Sequence, residues 1–76
     1  ADDIKGWISA GLSGADITVR GDDGAHFEAL VISPEFEGKG TVARHRLVYA
    51  TLGSKMGQEI HALALKTQTP AEAGRG

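Results

Sequence analysis

The chain has 76 residues, which favours one domain spanning residues 1–76. A domain of this size buries only about 60% of the surface of its unfolded chain, which leaves no room for a deep active-site cavity. Eight basic and ten acidic residues give a net charge of −2, without the basic excess typical of nucleic-acid-binding domains. Cysteine is absent, so disulfides, thiolate nucleophiles and cysteine metal ligands are excluded. We therefore expect a non-catalytic protein.

The hydropathy pattern predicts the location of the protein and the flexibility of its last residues. No apolar run approaches the roughly 20 residues that span a bilayer. No basic segment followed by an apolar one opens the sequence, as it would in a signal peptide. We therefore expect a soluble cytoplasmic protein with no membrane partner. Residues 71–76 lack bulky apolar side chains, which predicts a flexible tail.

The first half of the chain predicts a helix followed by a hairpin. Alternating polar and apolar residues predict strands over residues 16–20 and 26–33, and the short turn between them favours antiparallel pairing. Gly6 and Gly11 weaken the preceding helix by up to about 1 kcal/mol each, so that it depends on tertiary packing. The apolar face of this helix, at helical spacing, comprises Ile4, Trp7, Ile8, Gly11 and Leu12.

The second half predicts a helix and a last strand. Pro34 ends the preceding strand and opens one helical turn, after which a tight bend leads into a helix over residues 41–52, capped by Thr41. Residues 60–66 are nearly continuously apolar, which predicts a well-covered strand, with His61 on the side of Leu63. This order predicts an α+β fold, with helices on one face of one small sheet. The predicted core face of the second helix comprises Val42, His45, Val48, Tyr49 and Leu52.

Six short strings occur in an order and spacing that closely resemble the BolA family, over about residues 4–72. The resemblance implies a class II KH-like fold of order α-β-β-α-α-β, with a three-stranded mixed sheet and helices packed on one face. One departure is Ala73, which stands where family members commonly carry tryptophan. The strings are His26-Phe27, Val31-Ile32-Ser33, Phe36-Glu37-Gly38-Lys39, Arg44-His45-Arg46-Leu47-Val48-Tyr49, Ile60-His61-Ala62-Leu63 and Lys66-Thr67-Gln68-Thr69-Pro70.

The resemblance also implies a function. It implies that the protein acts with a monothiol glutaredoxin, and with glutathione, in [2Fe–2S] cluster binding, assembly or iron regulation. The cluster would be shared with the partner, and no cofactor is expected in the isolated chain. The family's histidine ligand in the last strand matches His61, and its second ligand, a Cys or His near the hairpin loop, has only His26 as a candidate. The alternative is a KH-like, DNA-binding transcriptional regulator of stress response and cell morphology.

Each histidine also has a structural interpretation. The pattern around His61 by itself favours a half-buried histidine bonded to a backbone carbonyl, whereas the resemblance favours a metal ligand. Imidazole is a competent ligand of a [2Fe–2S] cluster, but the thiolates would have to come from a partner. For His26, a ligand and an exposed residue at a strand start are equally compatible with the sequence. We interpret His45 as a core residue.

A second group of residues suggests contacts with nucleic acid. Backbone amides just before a helix can receive a phosphate, and KH-like folds use a glycine-bounded loop to clamp the backbone of nucleic acids. The net negative charge of the chain favours the alternative interpretation, in which these residues form a tight turn beside a solvated helix edge. The predicted nucleic-acid-binding residues are Gly38, Lys39, Gly40, Arg44 and Arg46.

Overall fold

The computed structural model describes residues 2–21, 26–58 and 60–74, which form two α-helices and a three-stranded sheet. The helices are α1 (Asp2–Gly11) and α2 (Thr41–Leu52), and the strands are β1 (Asp16–Arg20), β2 (His26–Ile32) and β3 (Ala62–Gln68). Two 3₁₀ turns, Pro34–Phe36 and Gly53–Lys55, flank α2. Within these residues no helix is long and apolar enough to cross a membrane.

The sheet has the order β1-β2-β3, in which β1 pairs antiparallel with β2 and β2 pairs parallel with β3. The prediction of an α+β fold with a three-stranded mixed sheet is therefore confirmed. In place of two consecutive helices between β2 and β3, α2 is followed only by the 3₁₀ turn Gly53–Lys55. The predicted hairpin turn falls partly on residues 22–25, outside the described residues.

The core lies between one face of the sheet and the two helices. Side chains alternate along each strand, so every second residue of the sheet meets the helices and the others face away from them. The buried cluster comprises Ile4, Ile8, Leu12, Ile17, Val31, Phe36, Val48, Leu52 and Ile60. Trp7 packs against the edge of this cluster and carries the Lys55 ammonium 4.7 Å above its ring. Both helices therefore cover the same face, and the other face of the sheet is open.

The last strand begins two residues later than predicted. Ile60 is fully buried, and its amide and carbonyl bond to Lys55 and Gly57 within the preceding loop, at 3.0 and 2.7 Å. Pairing with β2 therefore starts only at Ala62. The prediction that this strand is well covered was wrong, since Ala62 and Ala64 are exposed. Each of these alanines exposes only one methyl group, so little apolar area is lost to water and no second layer is needed to cover this face of the strand.

The bounds predicted for α2 are confirmed, but its cap and part of its predicted core face were wrong. Gly40 is the N-cap residue, and no side chain caps the helix. Val48 and Leu52 are buried as expected, whereas Val42 is 65% exposed and Tyr49 is 37% exposed. The helix is apolar on two faces, and the pattern alone does not tell which of them meets the sheet.

Candidate functional site: a histidine edge of the sheet

The two candidate metal ligands come together at one edge of the sheet. Because β2 and β3 are parallel, their first residues lie at the same end, where His26 pairs with Ala62. His61 directly precedes Ala62, so it is the chain neighbour of the residue that pairs with His26. Both histidines are exposed. The sequence named both residues, but only the parallel pairing makes them neighbours.

His61 lies in a bend before β3 rather than inside the strand. Its exposure contradicts the interpretation of a half-buried histidine on the side of Leu63. Since the pleat of the strand does not extend to this residue, the alternation of side chains along β3 does not place the His61 side chain on the helix-facing side of the sheet. It therefore meets the first requirement of a ligand that is offered to an external group.

A shallow depression adjoins His26 on the sheet. His26 forms part of its wall, and Arg20 supplies a cation beside it. The neighbouring wall includes Ala62 and Ala64, whose small side chains leave the strand edge approachable. Along the described residues this surface is open and accessible to a macromolecular partner.

The donor set that the described residues offer at this edge is incomplete for a metal held by the chain itself. Among the described residues no three histidine, aspartate or glutamate side chains lie close enough to hold a metal ion. Two imidazoles could ligate one iron of a [2Fe–2S] cluster, as they do in Rieske centres, while the other iron would need thiolate ligands from outside the chain. The residues present therefore fit a shared cluster with a thiol-bearing partner.

Three of the predicted nucleic-acid-binding residues, Gly38, Lys39 and Gly40, precede α2 at the opposite end of the molecule, whereas Arg44 and Arg46 lie within the first half of the helix. The helix α2 begins after the end of β2 and returns before the start of β3, so its 12 residues separate the loop before α2 from the histidine edge by about 18 Å. Gly38, with φ 73°, makes the tight turn that precedes α2. Lys39 donates from its ammonium group to the Glu35 carbonyl at 3.1 Å. The two candidate sites therefore do not overlap.

Arg44 is held in a clamp with the C-terminal turn. Its guanidinium donates two hydrogen bonds to the Glu72 carboxylate, at 2.6 and 3.1 Å, and its Nε donates to the Lys39 carbonyl at 2.7 Å. The same group lies 5.9 Å above the ring of the buried Phe36. Arg44 thus links the loop before α2 to the end of the chain. Its Nε and both of its terminal nitrogens each donate one hydrogen bond within the protein, and its side chain is only 13% exposed, so Arg46 is the exposed arginine of this group.

The C-terminal turn has its own capping box. The Thr69 hydroxyl accepts from the Glu72 amide at 3.1 Å, and the Glu72 carboxylate accepts from the Thr69 amide at 2.9 Å. The Arg44 guanidinium and the Thr69 amide together lower the pKa of Glu72 to about 2. Backbone hydrogen bonds from Ala73 to Thr69 and from Gly74 to Ala71 extend this turn over residues 70–74, and the flexibility expected of residues 71–76 stays a prediction. Sequence reasoning missed Glu72, although the Thr-x-x-Glu spacing signals a capping box.

The third histidine lies on α2, away from the sheet edge. His45 is half-buried, and its ring meets that of Tyr49 edge-on, with centroids 6.3 Å apart. The interpretation as a residue of the core is therefore only partly right. His45 borders the core and also contacts an exposed tyrosine.

The element order and the single covered sheet face define a small α+β domain of the class II KH-like type. The profile of the family described as BolA-like protein matches residues 10–72, and the chain belongs to this family. The structure of a BolA protein homologue from Coxiella burnetii superposes with a TM-score of 0.88 at 54% identity, covering 99% of this chain and 96% of that one.

Two curated relatives show how far the likeness extends along the chain. BolA-like protein 1 of Homo sapiens is 47% identical over 47 residues, which cover 62% of this chain and 34% of the relative. The DNA-binding transcriptional regulator BolA of Vibrio cholerae is 47% identical over 53 residues, covering 70% of this chain and 49% of the relative. The chain therefore spans about a third to a half of the length of these relatives.

Proposed function

We propose that this protein acts with a monothiol glutaredoxin and contributes a histidine ligand to a shared [2Fe–2S] cluster. The observation that carries the proposal is the exposed His61 beside His26 at the parallel-strand edge. The absence of cysteine requires that the thiolates come from the partner and its glutathione. When bound, the cluster would supply electron-transfer or iron-transfer chemistry, and this chain would supply imidazole nitrogens and part of the binding surface.

The experiment is co-expression with the glutaredoxin of the same host, followed by visible absorption and circular dichroism spectra. We expect a mixed spectrum that differs from that of the glutaredoxin cluster, and we expect a His61→Ala variant to lose it. His26→Ala should change it less or not at all, and His45→Ala, which removes the histidine of α2, serves as the matched control. Acidification should weaken the complex, because a ligating imidazole must be deprotonated.

Two outcomes would refute the proposal. The first is a wild-type protein that leaves the spectrum of the glutaredoxin cluster unchanged. The second is a His61→Ala variant whose mixed spectrum equals that of the wild type. If a folded His45→Ala variant that binds the cluster-free partner like the wild type also lost the mixed spectrum, the loss in His61→Ala would not identify the ligand.

We propose DNA binding as the alternative function, because the relative from Vibrio cholerae is a DNA-binding regulator and Gly38 forms a tight turn before α2. The internal bonds of Arg44 and Lys39 count against it. DNA binding through this region should weaken steeply with salt and should be lost in a triple Lys39→Ala/Arg44→Ala/Arg46→Ala variant. Fluorescence anisotropy with duplex DNA tests this, and retained binding by the folded triple variant would refute it.

A further inference from the structure

The outward face of α2 is unusually apolar for a surface helix. Surface helices normally turn charged and polar residues to water. The exposed residues of α2 include one charged side chain, Arg46, and the helix contains no aspartate or glutamate. By contrast, the exposed residues of α1 include Asp2, Asp3 and Lys5. The outer face of α2 comprises Val42, Ala43, Arg46, Tyr49 and Ala50.

These five residues form one continuous stripe. Val42, Arg46 and Ala50 follow one another at four-residue steps, and Tyr49 lies beside them at three residues from Arg46. Val42 and Tyr49 are also the exposed large hydrophobic residues among those that the structure describes. Tyrosine and arginine dominate the binding energy of many interfaces, since both combine a large apolar area with polar donors.

The charge of the stripe indicates what covers it. Arg46 stands at its centre, between Val42 and Ala50, with no carboxylate on the helix to neutralise it. A second copy of this chain fits poorly, because a twofold helix pair centred on this residue would bring two Arg46 side chains together. A partner surface with apolar side chains around one carboxylate complements the stripe.

The stripe extends toward the end of the molecule that carries the histidines. Its C-terminal part, with Tyr49 and Ala50, lies close to the end of α2, and α2 ends on the side where β2 and β3 begin. A partner that covers this part of the helix therefore lies toward the end of the molecule that carries His61.

We infer that the outer face of α2 is the docking surface for the thiol-bearing partner, through an apolar patch of that partner centred on a carboxylate. The inference rests on the proposed function, because it names where the glutaredoxin binds. Docking on α2 and ligation by His61 are separate contributions. The first sets the affinity of the cluster-free complex, and the second sets the spectrum of the loaded one.

The test is isothermal titration calorimetry with the cluster-free glutaredoxin of the same host. A Val42→Ser/Tyr49→Ser variant should raise the dissociation constant by about tenfold or more, as expected for the loss of a central interface tyrosine. Arg46→Glu should weaken binding by a similar factor. Lys66→Glu, the same charge change on the open face of the sheet, is the matched control and should stay within about twofold of the wild type. Far-ultraviolet circular dichroism verifies folding.

The outcomes separate the docking surface from the proposed function. His61→Ala should bind the cluster-free partner like the wild type, although it loses the mixed spectrum. Folded α2 variants that bind like the wild type would overturn the docking surface, even where the mixed cluster forms. A wild type that binds the partner but forms no mixed cluster would refute the proposed function alone, and no binding at all would refute both. Dimerisation that depends on Val42 and Tyr49, seen by sedimentation, would overturn the assignment to a partner protein.

Discussion

Two glycines of α1 should respond in opposite ways to the same substitution. Gly6 is exposed, and a β-carbon added there meets no atom within 4 Å. Gly6→Ala should therefore stabilise the protein by about 0.5–1 kcal/mol, because alanine loses less backbone entropy on folding. In a domain of this size a change of about 1 kcal/mol shifts the melting temperature by roughly 4–8 °C. We expect a higher melting temperature by several degrees.

At Gly11 the helices α1 and α2 come into close contact. A β-carbon there would overlap the Thr51 methyl group and lie 2.8 Å from Thr51 Cβ. Thr51 is not free to turn away, since its hydroxyl donates to the Val48 carbonyl at 2.6 Å. Overpacking of this kind costs about 1–3 kcal/mol, which exceeds the gain in helix propensity. Gly11→Ala should therefore lower the melting temperature and the urea midpoint.

A double-mutant cycle isolates the contact. Thr51→Ser removes the overlapping methyl group and keeps the hydroxyl, so Gly11→Ala should cost less in that background, with a coupling above about 0.5 kcal/mol. Thermal and urea unfolding followed by circular dichroism measure both substitutions. A Gly11→Ala protein as stable as Gly6→Ala, or purely additive effects in the cycle, would refute the close approach of the helices.

Two further predictions concern the clamp and the core. Because the folded pKa of Glu72 is about 2 against an ordinary 4.5, its charge stabilises the fold above pH 4.5, and this contribution is lost as the pH falls toward 2. The wild type should therefore exceed Glu72→Gln in melting temperature at pH 7 and match it near pH 2, and a constant difference across this range would contradict the charge pairing. Ile60→Val should lower the free energy of unfolding by about 0.5–1.5 kcal/mol in urea, since Ile60 is fully buried, and an unchanged midpoint would place it outside the core.

The histidine edge shows which parts of the candidate site could be predicted from the sequence. Composition excluded thiolates within the chain, and the resemblance selected His61 and His26. Their proximity depends on the parallel pairing of β2 with β3, which joins residues 36 positions apart. Local patterns do not encode such a register, because it arises from how α2 carries the chain back to the other end of the sheet.

The sequence by itself determined the bounds of α2 and β1, the hairpin and the α+β class, since these follow from local periodicity, proline and glycine. Only the tertiary structure decided which face of α2 is buried, because both faces are apolar and the choice depends on the shape of the sheet beneath. It likewise distinguished Gly11, pressed against Thr51, from the unhindered Gly6. The tertiary structure also pairs Arg44 with Glu72, because packing brings the first turn of α2 against a turn 28 residues away in the chain. Long-range contacts of this kind decide which of several exposed or charged residues remain available for partners.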